Sequence, residues 1–298
     1  MQSDRIGRQL KLRNLRVFMA VVSAGSMGKA AERLNTVQPA VSRAIAELEK
    51  MLGVRLLDRN RQGVEPTEYG RSLLQCGQAV FDDLRQGVKN IEFLSDPTAG
   101  EVRVGSSPFL SASFVAAVID RVSRSNPGIA CRLVSARAET LKRDLGERSV
   151  ELVIAPVFDS LDDERLEFES LYEDAFVVVT GAQNPLARRR HVKLRDLVNE
   201  PWVLPPSETT PGSLVMQAFH ASGVDFPRKT VSTAPFEARM SLLETGRFLS
   251  IFASSALVFP IKRKQFKVLP VELPIARIPN GIFTLKNRTL GPVAQLFV

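Results

Sequence analysis

The chain is expected to be α/β: an amino-terminal domain of the all-α, helix-turn-helix type with a two-stranded wing, followed by a two-lobed α/β region. Three observations carry this. Apolar residues in the first quarter recur at helical spacing, and a polar turn near residues 58–63 separates two strand-like segments. From Gly100 onward, strand-like runs alternate with helical ones, the pattern of a parallel α/β sheet. With 298 residues and 44% hydrophobic content, the chain is long enough for a small domain and a larger two-lobed one.

Leu12, Leu15, Phe18, Met19 and Val22 define an amphipathic first helix, and Ser26 is placed to cap a second over residues 27–34. Pro39 suits the first turn of a third helix, and Gly53 suits its end. Along that helix Val41, Ile45, Leu48 and Leu52 recur at steps of four, three and four, which puts them on one buried face. Ser42, Arg43, Ala46, Glu49 and Lys50 fall opposite. Gln38 and Pro39 stand at the amino-terminal end, where free backbone N–H groups favour phosphate. Two short helices joined by a tight turn, the second polar and cationic over its first turns, suit the major groove of duplex DNA.

The same spacing would also serve an ordinary helical hairpin with a solvated charged face, and charge distribution separates the two. Residues 1–71 hold 13 Lys and Arg against 7 acids, a surplus of +6 out of +8 for the whole chain. Concentrating three quarters of the positive charge in the first quarter of the chain is what phosphate neutralisation requires. Residues 54–57 and 64–66 then read as a wing hairpin. At its tip Arg61 is expected to meet the minor groove or phosphates, while Arg59 either joins it or pairs locally with Asp58 or Glu65.

Thr67 can cap a long helix that runs to about residue 94 before Asp96-Pro97 stops it. Leu73, Val80, Leu84, Ile91 and Leu94 approximate a heptad seam, interrupted by Gly77 and Gly87. A helix this long with so little core of its own points to the equivalent helix of a second copy as its cover.

Beyond it, strands are expected at 101–105, 129–135 and 151–155, with helices over 114–122 and 141–148. A second series follows the polar, acidic stretch 159–169: strands at 175–180, 202–204, 230–233 and 248–252, helices over 214–221 and 237–243. Ligands of such sheets sit beyond the carboxyl ends of the strands. That rule selects Ser106, Ser107, Ser135, Pro206, Ser207 and Phe252 as effector-binding candidates, although the hydroxyls serve equally well as helix caps.

The order Ala-Ala-Glu-Arg-Leu (30–34), Gln-Pro-Ala-Val-Ser-Arg (38–43), Leu48-Glu49, Leu52-Gly53, Leu-Leu-Asp-Arg (56–59), Pro66-Thr67 and Gly70 resembles the LysR-type transcriptional regulator family. The resemblance extends over nearly the whole chain. It implies a winged helix-turn-helix over 1–67, a dimerisation helix over 68–95 and a periplasmic-binding-protein-like (type 2) effector domain over 96–298. Lobe I would cover about 96–160 and 268–298, and lobe II about 161–267. The strands near 266–269 and 281–286 would return to the first lobe. By matching position, Gln38, Pro39, Ser42 and Arg43 correspond to the recognition-helix contacts and Arg61 to a wing contact. Ser26 and Arg59 complete the DNA-facing set. The implied partners are double-stranded promoter DNA, a small-molecule effector, and further copies of the chain as homodimer or homotetramer. One departure concerns the position before Gln-Pro, often Ser or Thr in the family, which here is Val37, with the hydroxyl displaced to Thr36.

The amino terminus lacks an apolar signal core and no run approaches a membrane span, so the expected location is the cytoplasm. Cys76 and Cys131 show no metal-type spacing and read as packing residues. His191 and His220 stand in no nucleophile, phosphate-loop or metal context, so neither catalysis nor a cofactor or metal is expected. The run Arg188-Arg189-Arg190-His191 reads as a solvated turn. The alternative is a small-molecule-binding or catalytic protein on a binding-protein fold with an incidental helical amino-terminal domain. Residues 290–298 read as a terminal helix cut short, which would leave the last face of the first lobe thinly covered.

Overall fold

A computed structural model describes residues 10–60, 63–157, 163–257 and 265–298, in two compact units, Met1–Lys89 and Asn90–Val298. In the first unit, α1 (Leu12–Ala24), α2 (Met27–Arg33) and α3 (Gln38–Leu52) enclose a core in which Phe18, Val21, Ala30, Val41, Ile45 and Leu48 are buried. The third helix ends at Gly53 (φ 70) as expected, and Gly25 (φ 63) ends the first in the same way, both in left-handed conformations that favour glycine. The wing is the antiparallel pair β1 (Leu57–Asn60) and β2 (Gly63–Pro66), with Leu57 opposite Pro66. Two contacts fasten it. The Val64 N–H donates to the Gly25 carbonyl (2.9 Å), and the Glu49 carboxylate accepts from the N–H groups of Leu56 (2.8 Å) and Leu57 (3.3 Å). Glu49, expected on the solvated face, is therefore a strut between helix and wing, because the free backbone donors at the foot of the wing need an acceptor.

The long helix is α4 (Glu68–Ser95), and Thr67 caps it by accepting the Gly70 N–H (3.1 Å). Its expected seam divides in two. Leu73 and Leu74 pack against the amino-terminal core, and a Cβ on Gly77 would lie 2.9 Å from Met19 Sδ, so the glycine admits α1 rather than interrupting a contact with another chain. Leu84, Val88, Ile91 and Leu94 are exposed, Leu94 by 81%.

The second unit contains two five-stranded sheets. One is ordered β4-β3-β5-β12-β6, with β3 (Ala99–Ser106), β4 (Gly128–Ser135), β5 (Leu152–Pro156), β6 (Leu166–Asp174) and β12 (Ile278–Leu285). The other is ordered β11-β7-β10-β8-β9, with β7 (Phe176–Gly181), β8 (Trp202–Leu204), β9 (Thr230–Ser232), β10 (Leu249–Ala253) and β11 (Phe266–Val268). The first sheet carries α5 (Pro108–Ser111), α6 (Phe114–Ser125), α7 (Ala138–Gly146) and α10 (Pro292–Phe297); the second carries α8 (Thr210–Ala221) and α9 (Phe236–Glu244). Trp202, fully buried beside Phe219, donates its indole N–H to the Leu197 carbonyl (2.8 Å) and anchors the second core.

Three expectations are corrected. Both sheets are mixed rather than parallel, since β12 runs antiparallel to β5 and β6, as β7 does to β10 and β11. The stretch expected to be a polar connector contains the start of β6, residues 166–169, so the crossing out of the first sheet comes after Asp174 rather than near residue 161. As an edge strand paired on one side only, β6 tolerates Glu167, Glu169 and Glu173 facing water. Lastly, Phe266–Val268 stays in the second sheet: Phe266 pairs with Gly181 and is buried beside Val179 and Phe252, which leaves β12 as the strand that returns.

Candidate nucleic-acid interface and effector cleft

At the amino-terminal end of α3, Gln38 and Pro39 are exposed, Arg43 is exposed one turn further on, and Ser42 is half-buried. Gln38 joins the start of α2: a Cβ on Gly28 would lie 3.7 Å from Gln38 Oε1 and 3.8 Å from Ser26 Oγ. Ser26, Gly28 and Gln38 thus form one small patch. Ser26 also accepts the Lys29 N–H at 3.5 Å, so its hydroxyl serves the helix it starts. Val37 is the residue before the first turn of α3, and no side chain caps that end. Its side chain is 65% exposed, so a large apolar group sits beside the polar tip of the helix.

Cations near the wing are engaged: Arg33 donates to Ser23 Oγ (3.2 Å) and Arg71 to the Pro66 carbonyl (2.9 Å). Among the described residues Arg43 and Arg59 form no ion pair, and both are exposed. On the wing Arg59 stands opposite Val64, while Asp58 stands opposite Glu65, so the local pairing open to Arg59 is not made. Arg61 lies outside the described residues.

Within the second unit a cavity of about 70 Å³ lies between the two sheets, and Phe252 is the one effector candidate of the six that lines it. Ser106 is buried: its hydroxyl donates to the Ser107 carbonyl (3.3 Å), and its own carbonyl accepts from Ala136 N and Ser111 Oγ. The Ser107 hydroxyl is shielded from solvent and has no partner among the described residues. Ser135 is exposed at the end of an edge strand, and the exposed Ser207 donates to Glu208 Oε2. The Pro206 carbonyl receives the Thr209 hydroxyl (2.6 Å), which fixes the start of α8 rather than facing the cavity.

The sequence reading missed the polar residues that do line it. Asp174 is buried at the end of β6, where its carboxylate accepts Ser254 Oγ (2.7 Å), Ser255 N (3.1 Å) and Ser255 Oγ. Asn280, 1% exposed, has an unpartnered Oδ1. Arg239 of α9 is 9% exposed and lies with its guanidinium 4.7 Å from the centre of the Phe252 ring. Burial pulls that guanidinium down to about 10, with Glu237 opposing the shift. A signal for Arg239 was present: Phe236 and Leu243 mark the buried side of the helix, and position 239 falls on it.

Two families match the chain. The family described as the bacterial regulatory helix-turn-helix protein, lysR family, covers residues 12–71, and the LysR substrate binding domain covers residues 95–298. The SDS degradation transcriptional activation protein of a Pseudomonas species is 30% identical over 288 residues, 95% of this chain and 93% of that protein. Among solved structures, a full-length OxyR variant from Pseudomonas aeruginosa superposes with a TM-score of 0.68 at 19% identity, covering 97% of this chain and 93% of that one. Full-length CbnR, solved in complex with its target DNA, gives 0.54 at 21% identity over 96% of each chain. The fold likeness therefore spans the helical unit and both sheets, the two family matches divide the chain in the same way, and the chain belongs to the LysR family of DNA-binding transcription regulators.

Proposed function

We propose that this regulator binds promoter DNA as a homo-oligomer in the cytoplasm, reading the duplex with the tip of α3 and the wing, and that a small molecule held between its two sheets alters that binding. The observation that carries the reading is the exposed, unpaired Arg43 beside Gln38 and Pro39 on a helix whose opposite face is buried. A helix of this width fits the major groove, with Gln38 and Arg43 within reach of base edges and phosphates. Ser26, Ser42 and Arg59 flank that contact, and Arg61 would extend it along the wing. Effector binding would couple the two sites by biasing one arrangement of the lobes, and with it the angle between paired helical units. Among the described residues no helix is long and apolar enough to cross a membrane.

For the oligomer, Leu84, Val88 and Ile91 follow the i, i+4, i+7 spacing of one helix face, with Leu94 beside them, and this exposed apolar stripe suits a second copy of α4. Sedimentation equilibrium should give a mass twice or four times 32.9 kDa; a monomer at micromolar concentration would remove the dimer from this reading. For DNA, the probe is a duplex enriched from a random pool by the wild-type chain. Arg43→Ala should weaken footprint protection at fixed salt by about 1–3 kcal/mol, roughly 5- to 150-fold, with the fold unchanged by circular dichroism. Undiminished protection would sink the assignment.

A further inference from the structure

We propose that Arg239 is the recognition group for an anionic effector, a small organic acid whose carboxylate meets the guanidinium and whose apolar part lies against Phe109, Phe176 and Phe252. This inference rests on the reading that the cavity between the sheets takes the effector. Its basis is a buried cation without a counter-charge. Among the described residues the Arg239 guanidinium makes no hydrogen bond and no ion pair, its Nε is shielded from solvent, and its ring contact is the stack on Phe252. Isolating a guanidinium in this way is costly unless something pairs with it.

The surrounding residues do not supply that partner. Asp174 lines the same cavity, but its carboxylate is already occupied by Ser254 and Ser255. Glu237, the acid nearest in sequence, is exposed and forms no ion pair with the arginine. An incoming carboxylate would complete a charge-assisted, fork-shaped contact for which the guanidinium geometry is suited. Asn280 Oδ1, unpartnered among the described residues and lining the same cavity from β12 of the first sheet, would accept a hydroxyl or N–H of the ligand.

The test uses the full-length chain and three acids, acetate, butyrate and cyclohexanecarboxylate, each beside its neutral amide. Thermal unfolding is read together with footprinting on the enriched duplex. At about 100-fold above its Kd an acid should raise the wild-type melting temperature by roughly 5 °C, while the amides leave it unchanged. Arg239→Met, which keeps the bulk and removes the charge, should melt at or above the ligand-free wild type and lose the response to acids. Arg239→Lys, a point charge without the fork, should keep a reduced response. No shift with any acid, equal shifts with acid and amide, an acid response surviving in Arg239→Met, or a lower ligand-free melting temperature in that variant would each overturn the proposal. The two readings fail separately: absent wild-type protection counts against the DNA-binding reading whatever the acids do, whereas intact protection with any of those four outcomes removes the anion site alone.

Discussion

Gly70→Ala is expected to destabilise the amino-terminal unit by roughly 3 kcal/mol or more and to abolish DNA protection, leaving the melting of the carboxyl-terminal unit unchanged. A Cβ at this position would stand 2.1 Å from the Leu56 carbonyl oxygen and 3.1 Å from its carbon. That carbonyl cannot withdraw cheaply, since it accepts the Thr67 N–H (3.0 Å), and the Thr67 hydroxyl is in turn bonded to the Arg55 carbonyl (2.8 Å). The added methyl would have to part the base of the wing from the first turn of α4. Gly87→Ala is the internal control: nothing lies within 4 Å of its Cβ, so the exchange should stabilise the helix by about 0.5–1 kcal/mol. Calorimetry of the full chain, with a transition for each unit, separates the outcomes; equal melting curves for the two variants would refute the close approach at Gly70.

Asp174→Ala is expected to cost the carboxyl-terminal unit roughly 2–4 kcal/mol, because a buried N–H and two hydroxyls lose a charged acceptor together. Asp174 stands where the chain leaves the first sheet for the second, and its partners Ser254 and Ser255 follow directly after β10. The Ser254 N–H also reaches the Ala175 carbonyl (2.7 Å), so one short segment holds the crossing point twice. The corresponding fall in melting temperature is roughly 5–10 °C, with Asp174→Asn intermediate because it keeps one acceptor oxygen. A loss under about 0.5 kcal/mol for the alanine variant would show that water replaces the carboxylate without penalty.

Periodicity made the three helices of the amino-terminal unit legible, but the first wing strand lies at Leu57–Asn60, in what read as a turn, rather than at 54–57. Val41, Ile45 and Leu48 could belong only to a helix buried on one side, and Gly53 closed it. Glu49 was misplaced because helical spacing specifies a face but not whether a long side chain folds back onto neighbouring backbone. The strand β6 was hidden by its composition and by an irregularity. Its pairing with β12 shifts register between Asn280 and Gly281, where Leu171 is left over, and this breaks the alternation begun by Leu166 and Phe168. In the cleft, the rule of strand carboxyl ends located Phe252 but favoured hydroxyls that do not line the cavity: Ser106 is bonded to backbone, Ser207 to Glu208, and Ser135 ends an edge strand. Arg239 and Asn280 reach the cavity from a helix face and a returning strand, and which lobe a returning strand rejoins is decided by long-range pairing that no local pattern encodes.

The bond from Val64 to Gly25, with the Glu49 strut, ties the wing to the helices, and in the DNA reading proposed above the wing and the helical tip act as a single stiff head. Such a head cannot stretch or tilt its own two points of contact to suit a different half-site. In the oligomer proposed above, adaptation to operators of unequal spacing would then fall to the joints between its copies, or to bending of the duplex itself.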